Sequence, residues 1–317
     1  MRFPTRSRFQ LAGASLLVAA SLLHAQPSGP LTEGAAGLSS VAASELDKSA
    51  LAASSNLTSA SAQPRTLASM ASQLEPIVKV LTGVLNQYRK SGNRDGESST
   101  LCALGNSYNS FGQQQKAVEY FQQALTISRE TGDRKMEANA LSRIGDVYHG
   151  WGFPDMAVRF YHDALQIHAQ TGDKLGKAVV LNNLGVIYLA QSNKKKSLEY
   201  LNQALASYHD AGDRHAETLT LINIAASENF LAHDAQKAIS LLQHAINELE
   251  PFNDRTNEAD AYEMLGVVWA GLHKQETAEM NFERALELYR SVGDAHGEAS
   301  VQRHLKNFES HDLASVR

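Results

Sequence analysis

The 317-residue chain has almost no cysteine and little proline. Its single cysteine, Cys102, cannot form an intramolecular disulfide, so the fold must be stabilised by packing. Only 7 prolines are present, and of these only Pro154 and Pro251 follow residue 92. Because proline disrupts helix interiors, its scarcity there favours helical structure.

An excess of positive charge is also missing. Lys and Arg number 29 against 34 Asp and Glu, which gives a formal net charge of -5. Because nucleic acids and anionic membranes attract basic surfaces, we expect neither as a partner. Hydrophobic residues make up 43% of the chain and charged residues 20%, which is typical of one large or two ordinary folded domains.

The first 25 residues have the pattern of a secretory signal. Three arginines precede an apolar run over residues 11–23, and Ala25 lies before a possible cleavage point at Gln26. This run is shorter than the roughly 20 residues that a membrane-spanning helix needs. We therefore expect a cleaved signal and an exported chain, periplasmic or secreted from a bacterium. An uncleaved membrane anchor and a buried helix are the alternatives.

Residues 26–66 differ from the rest in composition. Ser, Ala and Gly dominate, and the few apolar side chains cannot bury enough area to offset the entropy of ordering the segment, which predicts a disordered tether. Apolar residues at helical spacing then predict an N-terminal capping helix over residues 67–92. Because Pro76 suits a first helical turn, residues 67–73 are expected to form a separate turn of helix.

A Gly-Asp step, or its equivalent, divides residues 93–297 into five repeats. Successive copies are 40, 40, 40, 41 and 40 residues apart. The copies are Gly92-Asn93, Gly132-Asp133, Gly172-Asp173, Gly212-Asp213, Asn253-Asp254 and Gly293-Asp294. Glycine can adopt the left-handed conformation that ends one helix, and Asp or Asn can cap the next, so each step predicts a tight corner between two helices.

Small residues recur at matching positions of the two helices in each repeat. In most copies the first helix has a large apolar residue, glycine and an aromatic residue, while the second has alanine, a large apolar residue and alanine. The recurring glycines are Gly105, Gly145, Gly185 and Gly266. A glycine inside a helix costs about 1 kcal/mol relative to alanine, so its recurrence predicts that another backbone approaches too closely for a side chain.

This pattern resembles the tetratricopeptide repeat, in the 40-residue form of kinesin light chains, Pins-type adaptors, bacterial peptide-sensing regulators and CHAT-associated proteins. The resemblance covers residues 92–294 and implies an all-α, right-handed solenoid of antiparallel helix pairs, with about twelve helices. Repeat four departs from it, because Ala225 and Glu228 replace glycine and tyrosine and one residue is inserted near residues 232–235. This predicts a local kink or an altered groove. Residues 298–317 are polar at core positions and are expected to form a C-terminal cap and tail.

The chain shows none of the motifs that commonly carry catalysis. It has no glycine-rich phosphate loop, nucleophile elbow, paired-His zinc helix or EF-hand loop, so we expect no enzyme activity, catalytic residue, metal site or cofactor. Cys102 is expected to be a buried small residue, with a reactive thiol as the alternative. Lys194, Lys195 and Lys196 are expected to form a solvated corner, with an electrostatic docking patch as the alternative.

The resemblance implies a partner-binding groove on the first helix of each repeat, at the positions between the repeated ones. The candidate residues there are Asn106, Asn109, Asn139, Arg143, Asp146, Asn182, Asn183, Val186, Leu219, Asn223 and Asn229. An amide both donates and accepts hydrogen bonds, so a row of asparagines can pair with the backbone of an extended peptide. The alternatives are that asparagine is tolerated on a solvated helix face and that the apolar members pack between helices.

These expectations favour an exported scaffold or adaptor that binds a peptide or a partner protein in its groove. One alternative is a structural module of an envelope assembly, which would form a homo-oligomer. Another is a non-catalytic subunit of a signalling or protease system. The sequence carries no signal that identifies the partner.

Overall fold

The computed structural model describes the backbone of residues 67–315, with side chains over residues 72–230 and 233–306. This part of the chain consists of α-helices joined by short turns and contains no strand. The helices are α1 Leu67–Ser91, α2 Arg94–Ser110, α3 Gln114–Thr131, α4 Arg134–Gly150, α5 Pro154–Thr171, α6 Lys174–Ala190, α7 Lys194–Ala211, α8 Arg214–Ser227, α9 Ala235–Leu249, α10 Arg255–Gly271, α11 Gln275–Val292 and α12 Ala295–Ser315. The expected all-α fold of packed helix pairs is confirmed. The predicted signal and tether lie outside the described residues.

The described chain divides into two compact units, with the boundary inside α6. Unit one comprises residues 67–180 and unit two residues 181–315. Helices that follow one another pack against each other within each unit. Each repeat thus contributes a first helix, here called helix A, and a second, helix B.

The corners between repeats have the predicted geometry. Four of the glycines that end a helix B have φ between 69° and 77°, and Asn253 takes the same left-handed conformation with φ 51°. Asp133 then caps α4, because its Oδ1 accepts a hydrogen bond from the backbone N–H of Met136 at 2.9 Å. The corresponding caps of later helices are Asp173, Asp213, Asp254 and Asp294. The Gly-Asp step therefore both ends one helix and starts the next.

The glycines inside helix A lie against a large side chain of helix B. A Cβ atom built on Gly145 would lie 2.7 Å from the ring of Tyr161, which is closer than real Cβ contacts allow. The same holds for Gly105 against Phe121, Gly185 against Leu201 and Gly266 against Phe282. The predicted close approach is confirmed, but the nearest atoms belong to side chains, and a backbone atom also lies close only at Gly185, where the Leu201 nitrogen would be 3.1 Å from the Cβ. A helix B side chain fills the space that the missing Cβ leaves.

A second kind of contact between a glycine and a large side chain occurs at the corners between repeats, and it was not predicted from the sequence. Gly96, in the first turn of α2, lies against the ring of Tyr88, the last large residue of α1. Gly176 and Gly297 face His168 and Tyr289 in the same way. At the equivalent corner after α3 the small residue comes first and the large one second, because Ser128 replaces the tyrosine and Met136 replaces the glycine. These four corners therefore each combine one large residue with one small residue.

Repeat four absorbs its extra residue in a π-turn. Residues Glu228–Ala232 form this turn directly after α8, and a π-turn accommodates one residue more than regular helix. The insertion expected near residues 232–235 is thus accommodated slightly earlier. Glu228 stands where repeat three has Tyr188, and its buried carboxylate forms an ion pair with Lys237. In repeat three the ammonium of Lys196 instead lies 4.7 Å from the centroid of the Tyr188 ring.

The two end helices cover the terminal repeats. The expectation that residues 67–73 form a separate turn was wrong, because α1 continues through Pro76 without a break. Leu74 and Leu85 are both buried, so packing holds the helix on both sides of the proline. In α12, Val301 is fully buried and Gln302 is exposed, as expected of a cap with a polar outer face.

An ion pair joins two successive corners of unit two. His215 Nε2 lies 2.7 Å from Oδ2 of Asp254, the residue that caps α10. This hydrogen bond raises the pKa of His215 above its usual value, although burial acts against it. Burial opposes ionisation of Asp254, but hydrogen bonds from His215 and Asn257 outweigh it and lower the pKa of that carboxyl. The two charged forms therefore stabilise each other.

A glycine-to-alanine pair in α4 tests the contact between the helices. We expect Gly145→Ala to destabilise the chain by about 1–3 kcal/mol, because the new methyl group overlaps the Tyr161 ring. Gly150→Ala is the matched control, since nothing lies within 4 Å of a Cβ at that position, and it should stabilise by up to about 1 kcal/mol. Urea unfolding of both variants measures the difference. Equal midpoints would contradict this account of the contact.

The His215–Asp254 pair should make stability depend on pH. Because the folded pKa of His215 is raised, its contribution is fully present below the unfolded pKa of about 6.5 and is lost as the pH rises through the folded value. The contribution of Asp254 is lost as the pH falls through its lowered folded pKa. We therefore expect His215→Gln to lower the urea midpoint more at about pH 5.5 than at about pH 9. His244→Gln, at an exposed position of α9, is the control and should show no such difference.

Candidate functional site

The candidate groove residues lie on helix A of their repeats, except Asn229, which lies in the π-turn directly after α8, and the two units present them differently. In unit one, Asn139 is exposed, and Asn106, Asn109, Arg143 and Asp146 are half-buried. In unit two, Asn182, Asn183, Val186 and Asn223 are buried, whereas Leu219 and Asn229 are half-buried. The helix A face of unit one therefore offers the more accessible polar groups.

Direct contact between α2 and α4 brings the unit-one residues onto adjacent helices. Cys102 Sγ of α2 lies 3.7 Å from Met136 Sδ of α4. Burial raises the pKa of the Cys102 thiol to about 12, and the nearby charge of Arg143 offsets this only in part. Cys102 is thus the buried small residue that was expected.

Asp146 joins a buried hydroxyl to the one cation among the candidate residues. Tyr161 is fully buried, and its Oη donates to Asp146 Oδ1 at 2.7 Å. Arg143 Nη1 donates to the other carboxylate oxygen at 3.3 Å. The residues equivalent to Tyr161 are Phe121, Leu201 and Phe282, none of which has a hydroxyl. Asp146 therefore satisfies a polar group found in repeat two, and it holds Arg143 at the surface of helix A.

His149 lies one turn further along α4. Burial lowers the pKa of its imidazole, and the negative charge of Asp146 only partly opposes the shift. The ring is therefore neutral at neutral pH. Arg143 remains the positive charge of this face.

In unit two, two of the candidate asparagines bind each other. Asn223 Nδ2 donates to Asn182 Oδ1 at 3.0 Å, and both residues are buried. The repeat spacing aligns Asn223 with Asn183, so the hydrogen bond joins residues one position out of register. Val186 lies in the same buried core cluster as Ile222, and Leu219 packs against that cluster. The positions of Val186 and Leu219 therefore agree with the alternative that these two residues pack between helices.

Two buried carboxylates of α10 form a polar cluster that the candidate set did not include. The hydroxyl of Tyr289 lies 2.6 Å from Asp260 Oδ1 and 2.9 Å from Glu263 Oε2. Ser300 Oγ of α12 donates to Glu263 Oε1 at 2.7 Å. Burial, and then the two neighbouring carboxylates, raise the pKa of Tyr289. Because the cluster links α10, α11 and α12, it fixes the C-terminal cap to the last repeat.

The described part of the chain contains neither a metal cluster nor a membrane span. No group of three or more His, Cys, Asp or Glu residues is arranged to hold a metal ion among these residues. No described helix combines the length and apolar character that crossing a bilayer requires.

Comparison with known proteins identifies the repeat. A family model described as tetratricopeptide repeat matches residues 136–209, and a second model of the same description matches residues 98–131. The structure of BtubC (BKLC) from P. vanneervenii is 20% identical, with a TM-score of 0.61 over 70% of this chain and 93% of that protein. No curated protein sequence matches the chain significantly.

Two further structures have the same fold. A putative kinesin light chain from Podosopora anserina, with nearly identical TPR-like repeats, is 16% identical, with a TM-score of 0.50 over 62% of this chain and 97% of that one. NprR in complex with its cognate peptide NprX is 14% identical, with a TM-score of 0.55 over 74% of this chain and 68% of that one. At these identities the likeness establishes the fold alone.

The asparagine pair of unit two is testable by stability. We expect Asn223→Leu to destabilise the chain by about 1–3 kcal/mol, because it leaves the Asn182 carbonyl oxygen buried without this donor. Replacing both residues, in Asn182→Leu with Asn223→Leu, should recover most of the loss, since two apolar side chains of similar shape can pack together. Asn202→Leu, at an exposed position of α7, serves as the control. Additive losses in the double variant would argue against a paired role.

Proposed function

We propose that this chain, which carries tetratricopeptide repeats, is an exported scaffold that binds an extended peptide or an extended segment of a partner protein on the helix A face of unit one. The observation that carries the proposal is the set of accessible amides on two contacting helices. Asn106 and Asn109 lie on α2 and Asn139 lies on α4, and none of the three is buried. Such side-chain amides can pair with peptide groups of an extended chain without reading its side chains.

Arg143 adds a charge preference to this face. Asp146 accepts one of the N–H groups of the guanidinium, which has five donors, and about a fifth of the Arg143 side-chain surface is accessible. A carboxylate of the bound segment, either an acidic side chain or a free C-terminus, is the natural partner for such a group. The favoured ligand is therefore an extended segment with a negative charge near Arg143.

The unit-two candidates contribute less directly to the proposed site. Asn182 and Asn223 already satisfy each other, so binding through them would first require breaking a buried hydrogen bond. Asn183, Asn229 and Leu219 remain predicted contacts of a ligand bound to unit two. The solved complex of NprR with its peptide supports peptide binding as a use of this fold.

Export and the lack of catalysis belong to the same proposal. The pattern of residues 1–25 supports an exported location, periplasmic or secreted, and N-terminal sequencing of the exported chain should start at Gln26. A full-length N-terminus would contradict cleavage. The helix A face of unit one presents amides and one guanidinium, which are groups suited to binding.

The binding face is tested with peptides selected from a random displayed library. A selected peptide is synthesised with a fluorophore, and its dissociation constant is measured by anisotropy. We expect Asn106→Ala with Asn139→Ala to weaken binding about tenfold, since each lost hydrogen bond contributes about 0.5–1.5 kcal/mol. Arg143→Gln should weaken acidic peptides more than their amide analogues.

The matched control places the same chemical change on helix B. Gln123→Ala with Gln166→Ala removes two exposed amides from α3 and α5 of the same unit. This variant should bind as the parent does. If the control and the helix A variant bind equally well, with unchanged circular dichroism, the assignment of the face is wrong.

A further inference from the structure

The turn between α4 and α5 carries a cluster of four aromatic side chains, here called the aromatic corner. It consists of Tyr148, Trp151, Phe153 and Phe160. The rings of Tyr148 and Phe160 stack at 5.4 Å, and Trp151 lies 5.7 Å from Phe153 with their planes at 89°. Trp151 is 44% exposed and Phe153 is 51% exposed. Two large rings at right angles are thus open to solvent.

The aromatic corner is more exposed than the same turn of repeat one. The residue equivalent to Trp151 in repeat one is Phe111, which is only 5% exposed. Phe153 occupies the N-cap position of α5 and makes no capping hydrogen bond, as is also true of Gln113 before α3 and Lys274 before α11. Repeat two is distinguished by the two exposed aromatic rings at this turn. Large apolar rings that lie side by side in solvent point to a binding role.

We propose that the aromatic corner docks residues Pro27–Pro30 of the same chain. The segment reads Pro-Ser-Gly-Pro, with two prolines three residues apart. Aromatic-lined surfaces bind this spacing in the polyproline II conformation, where both prolines lie on one side and pack against ring faces. Proline also loses little conformational entropy on binding, which favours a small contact surface such as this one.

The chain length allows this contact. Successive helices run in opposite directions, so the start of α1 at Leu67 lies on the same edge of unit one as the end of α4. Helix axes pack about 8–10 Å apart, which places the aromatic corner about 20 Å from Leu67. Residues 31–66 are rich in Ser, Ala and Gly, and a coil of this length has an r.m.s. span of about 30–36 Å.

This length also sets the affinity that docking requires. When a linker matches or moderately exceeds the span between two sites, the effective concentration is about millimolar. A contact of submillimolar affinity is therefore mostly occupied within one chain. The aromatic corner lies at the turn between helices A and B, so this inference does not depend on peptide binding at the helix A face.

The test measures the solvent access of Trp151 by acrylamide quenching. The chain has two tryptophans, and Trp269→Phe leaves Trp151 as the reporter. In that background we expect Pro27→Ala with Pro30→Ala to raise the quenching constant about twofold. Pro64→Ala is the matched control, because it removes a proline too close to α1 to reach the corner, and it should leave quenching unchanged. Equal quenching in all three chains would overturn the proposal.

Three further measurements separate docking from other occupants. A synthetic peptide covering residues 26–31, added at millimolar concentration to the Pro27→Ala/Pro30→Ala chain, should restore the protection of Trp151, and no effect of this peptide would count against the site. Quenching should not depend on protein concentration. A dependence would show that a second copy covers the rings and would overturn docking within one chain. The indole N–H signal of Trp151 in two-dimensional NMR spectra of the chain with both tryptophans should shift in the same variants.

Discussion

The contact between a helix A glycine and a large helix B side chain underlies the whole repeat. Because Gly145 has no Cβ, the Tyr161 ring can lie against the backbone of α4, and this sets how closely the two helices pack. The Gly-Asp corners then join each helix B to the next helix A through a tight turn. The positions that do not take part in the contact are left free to vary, and these positions give each repeat its own surface.

The repeat pattern predicts most of the fold because its signals are local. A 40-residue recurrence of glycine, alanine and capping aspartate indicates helix pairs without any knowledge of distant contacts. The pattern misses what depends on tertiary packing. Pro76 is a helix-start signal in isolation, but the burial of Leu74 and Leu85 carries α1 through it. The extra residue of repeat four is visible as a 41-residue step, whereas its placement in a π-turn at residues Glu228–Ala232 is seen only in the structure.

The candidate site is less predictable, because the same residue type serves different purposes in different surroundings. The sequence around an asparagine of helix A does not show whether its side chain faces solvent, as that of Asn139 does, or binds a second amide, as that of Asn223 does. In the sequence, Asp146 has the pattern of a charged groove residue. In the structure it accepts a hydrogen bond from the hydroxyl of Tyr161, which lies fifteen residues later in the chain. Such pairings join residues on different helices and out of repeat register. A single-chain pattern therefore does not separate the candidate residues that face solvent from those that bind each other inside the fold.

The exchanged sizes at the corners limit how the chain can be rearranged. Tyr88 meets Gly96 and His168 meets Gly176, but the corner between them has Ser128 and Met136. Removing exactly one repeat, from Asp133 to Gly172, would join Ser128 to Gly176 and leave a void. Duplicating the same stretch would set His168 against Met136 and create a clash. Although the repeats have nearly equal length, recombination between them is penalised sterically. The order of the repeats is therefore itself part of what the sequence encodes.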